Sequence, residues 1–317
     1  MTKFTVEELL ARDAKWGLNL KLVCGEKHLG NQIADARIQK PGLLLTGLPE
    51  ELHSDRIQIL GGAEIGYLAA LSEDDLKLSL AKIKKADIPC LIVTRGMNVP
   101  PFLITLAEEK RVPILATSHT SSHLIDVLIK CLEDSLAPTA TIHGVFIGVQ
   151  GVGVLIIGKS GIGKSECALD LILRGHRLVA DDVVMVKKMP RDTLYGTPAE
   201  ILKYHMEIRG LGILNIKDLF GITAIKEMKR VDIVVEMVQW APDGSYERLG
   251  FDEDTYNILD VELPHITIPV SPGRSVADLV EVAARNRILQ FMGYNPSLAF
   301  QKKLQDIMYK SMSEPTE

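Results

Sequence analysis

Residues Gly158, Lys159, Ser160, Gly161, Ile162, Gly163, Lys164 and Ser165 run in the order G-x-x-x-x-G-K-S. This is the full phosphate-binding loop pattern, and it constrains the chain more than any other stretch. The pattern requires a strand before it and a helix after it. Residues 153–157 form an apolar run of strand length, and residues 166–174 are good helix formers with Gly175 as the stop. In this context the glycines let backbone N–H groups turn toward phosphate oxygens, and the helix start adds a partial positive charge. Lys164 is expected to reach the outer phosphates and Ser165 to bind Mg²⁺. The loop implies a nucleotide and leaves the reaction open.

The chain around the loop is long enough for two domains at 317 residues. Its 36 basic and 41 acidic side chains leave a net charge of −5, which gives no reason to expect nucleic acid. Cys24, Cys90, Cys131 and Cys167 lack metal-ligand spacing, and a disulfide framework is not expected. The first residues do not read as a signal peptide, and no apolar run is long enough for a bilayer. A cytoplasmic location without membrane contact is the expectation.

Before the loop, β and α patterns alternate, which predicts a sheet covered by helices. Residues 4–12 read as a helix capped by Thr5, residues 73–85 as a helix capped by Ser72, and residues 101–110 and 120–134 as two more. Residues 43–45, 57–60, 90–94 and 113–116 read as strands. Ser118, His119 and His123 read as polar residues around a helix cap; an effector site or an oligomer contact there stays open. Residues 135–139, with Pro138, form the expected linker. This divides the chain into an N-terminal α/β domain, residues 1–133, for regulation or assembly, and a catalytic domain, residues 134–317.

Three more features surround the loop. Asp181 and Asp182 interrupt an apolar strand read across residues 177–186, where unpaired charge would be costly, so a cation or catalytic site is expected. Neighbouring strand residues face opposite ways, so only one Asp should reach the phosphates unless the backbone bends. In residues 207–215, alternation places Glu207 and Arg209 on one face, and either a salt-bridged strand end or a Mg²⁺ ligand fits. His143, read in the strand before the loop strand, and Arg248, in an expected hairpin, are weaker signals. Alone they read as a core histidine and an exposed arginine.

Together, residues 151–155, the loop, residues 175–182 and the run from Glu207 to Asn215 closely resemble the bacterial HPr kinase/phosphorylase family. The resemblance covers most of the chain and is strongest over residues 134–295. It implies an α/β protein whose second domain is a phosphate-loop kinase similar to phosphoenolpyruvate carboxykinase. It also implies ATP- or pyrophosphate-dependent phosphorylation of a regulatory serine on the phosphocarrier protein HPr. The implied reverse activity is phosphorolysis of that phosphoserine by inorganic phosphate, giving pyrophosphate. The family is usually hexameric. Carried over position by position, the active-site residues fall on His143, Lys164, Asp182 and Arg248, with Asp182 as the proton-transfer group and Mg²⁺ on Ser165 and Glu207. Ser271 and Ser275 depart from the family pattern, which has Arg and Asn there, in a loop that the resemblance assigns to the reverse reaction. A nucleotide-gated binding protein without catalysis and a small-molecule kinase are the competing readings.

Overall fold

The computed structural model describes residues 4–241, 254–271 and 273–313. The chain divides into two compact units, Met1–Ala137 and Pro138–Glu317.

In the first unit, five strands lie in the order Leu20–Cys24, Ile114–Thr117, Leu91–Val93, Ile57–Leu60, Ile38–Gln39. All neighbours are parallel except the pair formed by Leu20–Cys24 and Ile114–Thr117. Both faces are buried, which explains why the central strands are almost wholly apolar, with the buried Gln58 as an exception. One face packs on Val6 and Leu9 and on Leu124, Leu128 and Leu132 of the helix Ser121–Leu136. The other packs on Leu68, Leu80, Ile83, Leu103 and Leu106. The expected helices are present, with Thr5, Ser72 and Thr120 accepting bonds from the first turns as N-caps. One expectation fails. Residues 43–45 are not a strand but part of the helix Gly42–Thr46, which buries Leu44 and Leu45 and leaves Leu43 exposed. Three consecutive leucines carry no periodicity that separates the two forms.

The second unit begins at Pro138 and contains two larger sheets. Six strands lie in the order Arg177–Ala180, Val145–Val149, Val152–Gly158, Ile233–Gln239, Val261–Val270, Thr255–Ile258. Four lie in the order Lys229–Arg230, Thr193–Pro198, Val183–Met189, Thr139–His143. Phe146 of the first sheet packs against Gly196 of the second, where an added Cβ would sit 2.6 Å from its ring. The loop helix Lys164–Leu173 and the helix Val276–Phe291 cover the six-stranded sheet through Ala168, Leu171, Ala277, Val280 and Ala284.

A strand pair passes from one sheet to the other as a unit. Val145–Val149 pairs with Arg177–Ala180 in the larger sheet, and Thr139–His143 pairs with Val183–Met189 in the smaller. Residues 177–186 are therefore not one strand, and His143 ends the strand two before the loop strand rather than the one before it. The break on one side is Gly144, where a Cβ would meet the Ile156 carbonyl at 2.5 Å. On the other side it is Asp181 and Asp182. The Val183 amide donates to the Asp181 carbonyl at 2.7 Å across Asp182, whose φ is +62°. This is a γ-turn with a positive φ at its centre, a rare and strained form. The Gly144 amide donates to the Asp182 carbonyl at 3.0 Å and ties the two breaks together.

Candidate active site

The loop strand ends at Gly158, where φ is +143° and a Cβ would meet the Met237 carbonyl at 2.4 Å. Only glycine fits so close to the neighbouring strand. Residues 159–163 then lead into the helix that starts at Lys164. The Lys164 ammonium donates to the carbonyls of Gly158, at 2.9 Å, and Lys159, at 3.1 Å. It is thereby held across its own loop.

Asp181 draws the rest together. It is 3% exposed, and its Oδ1 accepts from the Ser165 hydroxyl at 2.9 Å. Its Oδ2 accepts from the Glu207 backbone amide at 3.1 Å. One buried carboxylate thus fastens the loop helix, the sheet-crossing turn and the hairpin of His205–Ile208 and Gly212–Asn215. Burial pushes its pKa up; the bonds from Ser165 and from the Glu207 and Asp182 amides pull the other way, and the Asp182 charge adds to the rise.

The hairpin follows from its own pattern. Met206 and Ile208 are buried on one face, while Glu207 points outward on the other. Arg209 lies beyond the last strand residue, in the turn, with Gly210 at φ +86° and Gly212 at φ +82°. A Cβ on Gly161 would sit 2.7 Å from its guanidinium, so Arg209 packs against the phosphate loop.

A cavity of about 160 Å³ is lined by Ser160, Gly161, Gly163, Lys164, Ser165, Glu166, Asp181, Asp182, Glu207 and Arg209, with Val145. Five of the eight loop residues line it. Gly158, Lys159 and Ile162 do not. Asp182 and Glu207 join them. The γ-turn explains why both acids of the pair reach it, where a straight strand would deliver one. His143 does not line the cavity; it is the exposed register partner of Val183, one residue from Gly144. Arg248 lies outside the described residues. In the loop after the strand Val261–Val270, Arg274 lines a different groove with Trp240 and Leu279, and Ser275 caps the helix Val276–Phe291. Val145, Glu166 and Arg209 are the contributors that the sequence left without a role, and Asp181 was there only a possible support beside Asp182. Arg209 was legible as a residue sharing the Glu207 face.

The side-chain oxygens here are those of Ser160, Ser165, Glu166, Asp181, Asp182 and Glu207. This is a hard donor set, suited to Mg²⁺, which prefers few carboxylates together with phosphate and water. The Ser165 hydroxyl spends its proton on Asp181, so its lone pairs remain to face a cation. Among the described residues no three His, Cys, Asp or Glu side chains gather as a metal cage, so the residues fit an ion that takes most of its ligands from phosphate and water.

The chain matches the family described as HPr Serine kinase C-terminal domain over residues 134–304, and the one described as HPr Serine kinase N terminus over residues 4–132. It is 53% identical over 299 residues to an HPr kinase/phosphorylase of Geobacter sulfurreducens, covering 94% of this chain and 93% of the relative. It is 40% identical over 314 residues to an HPr kinase/phosphorylase of Halalkalibacterium halodurans, covering 99% and 100%. Among solved structures, the Hpr(Ser) kinase/phosphatase from Coxiella burnetii is 34% identical, with a TM-score of 0.46, covering 51% of this chain and 98% of that one. With both families matched in sequence order and relatives aligned almost end to end, the chain belongs to the HPr kinase/phosphorylase family of bifunctional enzymes.

Proposed function

We propose that this chain phosphorylates a serine of HPr with ATP or pyrophosphate and phosphorolyses the product with inorganic phosphate. The observation that carries this reading is the meeting of Lys164, Ser165, Asp182 and Glu207 in one cavity.

Kinase turnover needs a proton acceptor beside the phosphates. Asp182 is exposed in the cavity wall and takes the serine hydroxyl proton as the serine oxygen attacks the terminal phosphorus and ADP leaves. In reverse, a phosphate oxygen attacks the phosphoserine phosphorus, the bond to the serine oxygen breaks, and protonated Asp182 returns its proton to that oxygen. Pyrophosphate is the second product. Lys164 offsets charge on the transferring group. Arg248 completes the catalytic set, and His143, the register partner of Val183, orients Asp182 from outside the cavity. Ser165 and Glu207 hold Mg²⁺, which when bound neutralises phosphate charge. In phosphoryl transfer, positioning and electrostatics of this kind supply most of the rate. The enzyme works in the cytoplasm as a homo-oligomer, with the hexamer as the family's usual form. Among the described residues no helix is long and apolar enough to cross a membrane.

The test incubates the full chain with HPr, Mg²⁺ and ATP, then adds phosphate, and follows the phosphoserine by mass spectrometry. Appearance and then loss of the phosphoserine, with pyrophosphate formed, is the expected result. ATP binding without labelling of HPr would leave a nucleotide-gated binding protein. Turnover of a metabolite with HPr inert would leave a small-molecule kinase. Because Ser271 supplies no cation to its loop, phosphorolysis should be slow relative to phosphorylation. Ser271→Arg should raise the reverse rate alone, and equal wild-type rates at high phosphate would remove this expectation.

A further inference from the structure

The hairpin that carries Glu207 is tied to the phosphate loop and the acidic pair near its tip, where the Glu207 amide donates to Asp181 and Arg209 packs against Gly161. At its base stands Tyr204, the residue before the strand His205–Ile208. Its φ is +69°, a conformation in which a bulky side chain is an outlier. Such a residue persists only where its surroundings over-determine it. Here they do. The Tyr204 carbonyl accepts from the Ile216 amide at 2.9 Å and closes the hairpin one step beyond the His205–Asn215 pair. The Lys203 and Lys217 ammonium groups lie 5.2 and 5.1 Å from the centre of its ring, within cation–π reach. Its hydroxyl donates to a Glu227 carboxylate oxygen at 2.7 Å, and the Lys203 ammonium lies 3.0 Å from the same oxygen.

Glu227 leads back to the other half of the site. The neighbouring Lys226 amide donates to the Leu178 carbonyl at 2.7 Å, and Ile225 bridges Leu178 in parallel. Leu178 belongs to the strand Arg177–Ala180, which runs directly into Asp181 and Asp182. The hairpin that brings Glu207 and the strand that brings the acidic pair are thus referenced to each other at both ends, through Asp181 near the tip and through Tyr204 and Glu227 at the base. A body attached at one end can tilt about it, and a second, separated attachment fixes its direction. Met206 and Ile208 also seat the hairpin in the core, but apolar burial has no preferred direction.

We propose that Tyr204 is a positioning residue for the metal: by tethering the hairpin base to Glu227 it fixes the direction in which Glu207 meets the Mg²⁺ shared with Ser165. The proposal rests on the functional reading above and deepens it. Tyr204 does not line the cavity and acts only through Glu207. Partners that orient a ligating side chain are commonly worth about 10- to 100-fold in metal affinity.

The test measures ADP binding to the full chain by calorimetry at varied Mg²⁺, with HPr absent so that no transfer contributes. Tyr204→Asn keeps a residue that tolerates positive φ and removes the ring and the hydroxyl. It should raise the Mg²⁺ concentration that gives half of the gain in ADP affinity by about tenfold. ADP affinity without Mg²⁺ and the unfolding temperature should stay at their wild-type values, and kinase kcat should recover at high Mg²⁺. Tyr204→Phe, which loses only the tether, should show a smaller rise, and Glu227→Gln, which keeps an acceptor for the hydroxyl, should stay near wild type. An unchanged Mg²⁺ requirement in Tyr204→Asn overturns the positioning role and leaves the enzyme reading intact. Loss of Mg²⁺-free ADP affinity together with a lower unfolding temperature also overturns it, because Tyr204 would then serve the fold alone. Wild-type ADP binding that does not respond to Mg²⁺ refutes the reading of Ser165 and Glu207 as metal ligands, and the role of Tyr204 with it, before any variant is compared.

Discussion

Each unit contains a strand that runs into a helix through a glycine cap with a glutamate three residues on, and the two turns end differently. In the first unit Gly61 caps the helix Gly62–Ala70, and Glu64 folds back so that its carboxylate accepts from the Gly61 amide at 2.9 Å. Glu64 is 7% exposed, and its other oxygen lies 3.3 Å from the Lys40 ammonium. In the second unit Gly163 caps the loop helix, but Glu166 is exposed and makes no capping bond. Both helix starts attract negative charge. One is satisfied by the chain's own carboxylate. The other is displaced from its strand by residues 159–163 and stays open to a phosphate. The same local pattern thus gives a closed turn or a binding turn, depending on the residues between strand and helix and on a partner such as Lys40.

The comparison is broken or sharpened by variants on each side. The largest effects belong to the open turn. Lys164→Ala should lose nucleotide binding and transfer together. Asp182→Asn should keep nucleotide affinity while both directions fall by about 10²-fold or more, the usual worth of a general acid–base group. Retained turnover in Asp182→Asn would remove that residue as the proton carrier. The closed turn should respond in stability alone. Glu64→Ala strands the buried Gly61 amide and should cost about 1–3 kcal/mol, with ATP affinity unchanged. Trp16 lies in the first unit and Trp240 in the second, so a Trp240→Phe background reports unfolding of the first unit by fluorescence. A loss of ATP binding in Glu64→Ala would contradict the division of roles.

The smallest effect is a pH dependence in the first unit. Burial alone would raise the Asp35 carboxyl, but hydrogen bonds from Arg37 and Arg56 and the Arg37 charge outweigh it and hold it at about 2, below its ordinary 3.8. A depressed carboxyl pKa stabilises the fold above the unfolded value, and that contribution is lost as pH falls through the folded one. The Trp16 unfolding temperature should therefore drop as pH is lowered from near 3.8 toward 2, and less so in Asp35→Asn.

Much of this was legible beforehand because it is local. The helix caps at Thr5, Ser72 and Thr120 are side-chain-to-backbone bonds within three residues, and the phosphate loop is an eight-residue pattern with its flanks. What was not legible depends on distant partners. The Leu43–Leu45 run is helical because burial of Leu44 and Leu45, with Leu45 in the core of this unit, decides it, and nothing within the run says so. The break at Asp181 and Asp182 is set by two sheets diverging at Gly144, which is remote in sequence. Asp181 itself read as half of an acidic pair. Its bonds to Ser165 and to the Glu207 amide span three elements that only folding assembles.

The positive φ of Asp182 has a thermodynamic side. A non-glycine residue there costs about 1 kcal/mol against glycine, and the cost falls on the residue that we propose moves the proton. Asp182→Gly should therefore give a chain that melts higher than the wild type and transfers no phosphate. If it does, the catalytic position is one where selection for turnover has overruled selection for stability, and heat resistance and activity will trade against each other at this residue.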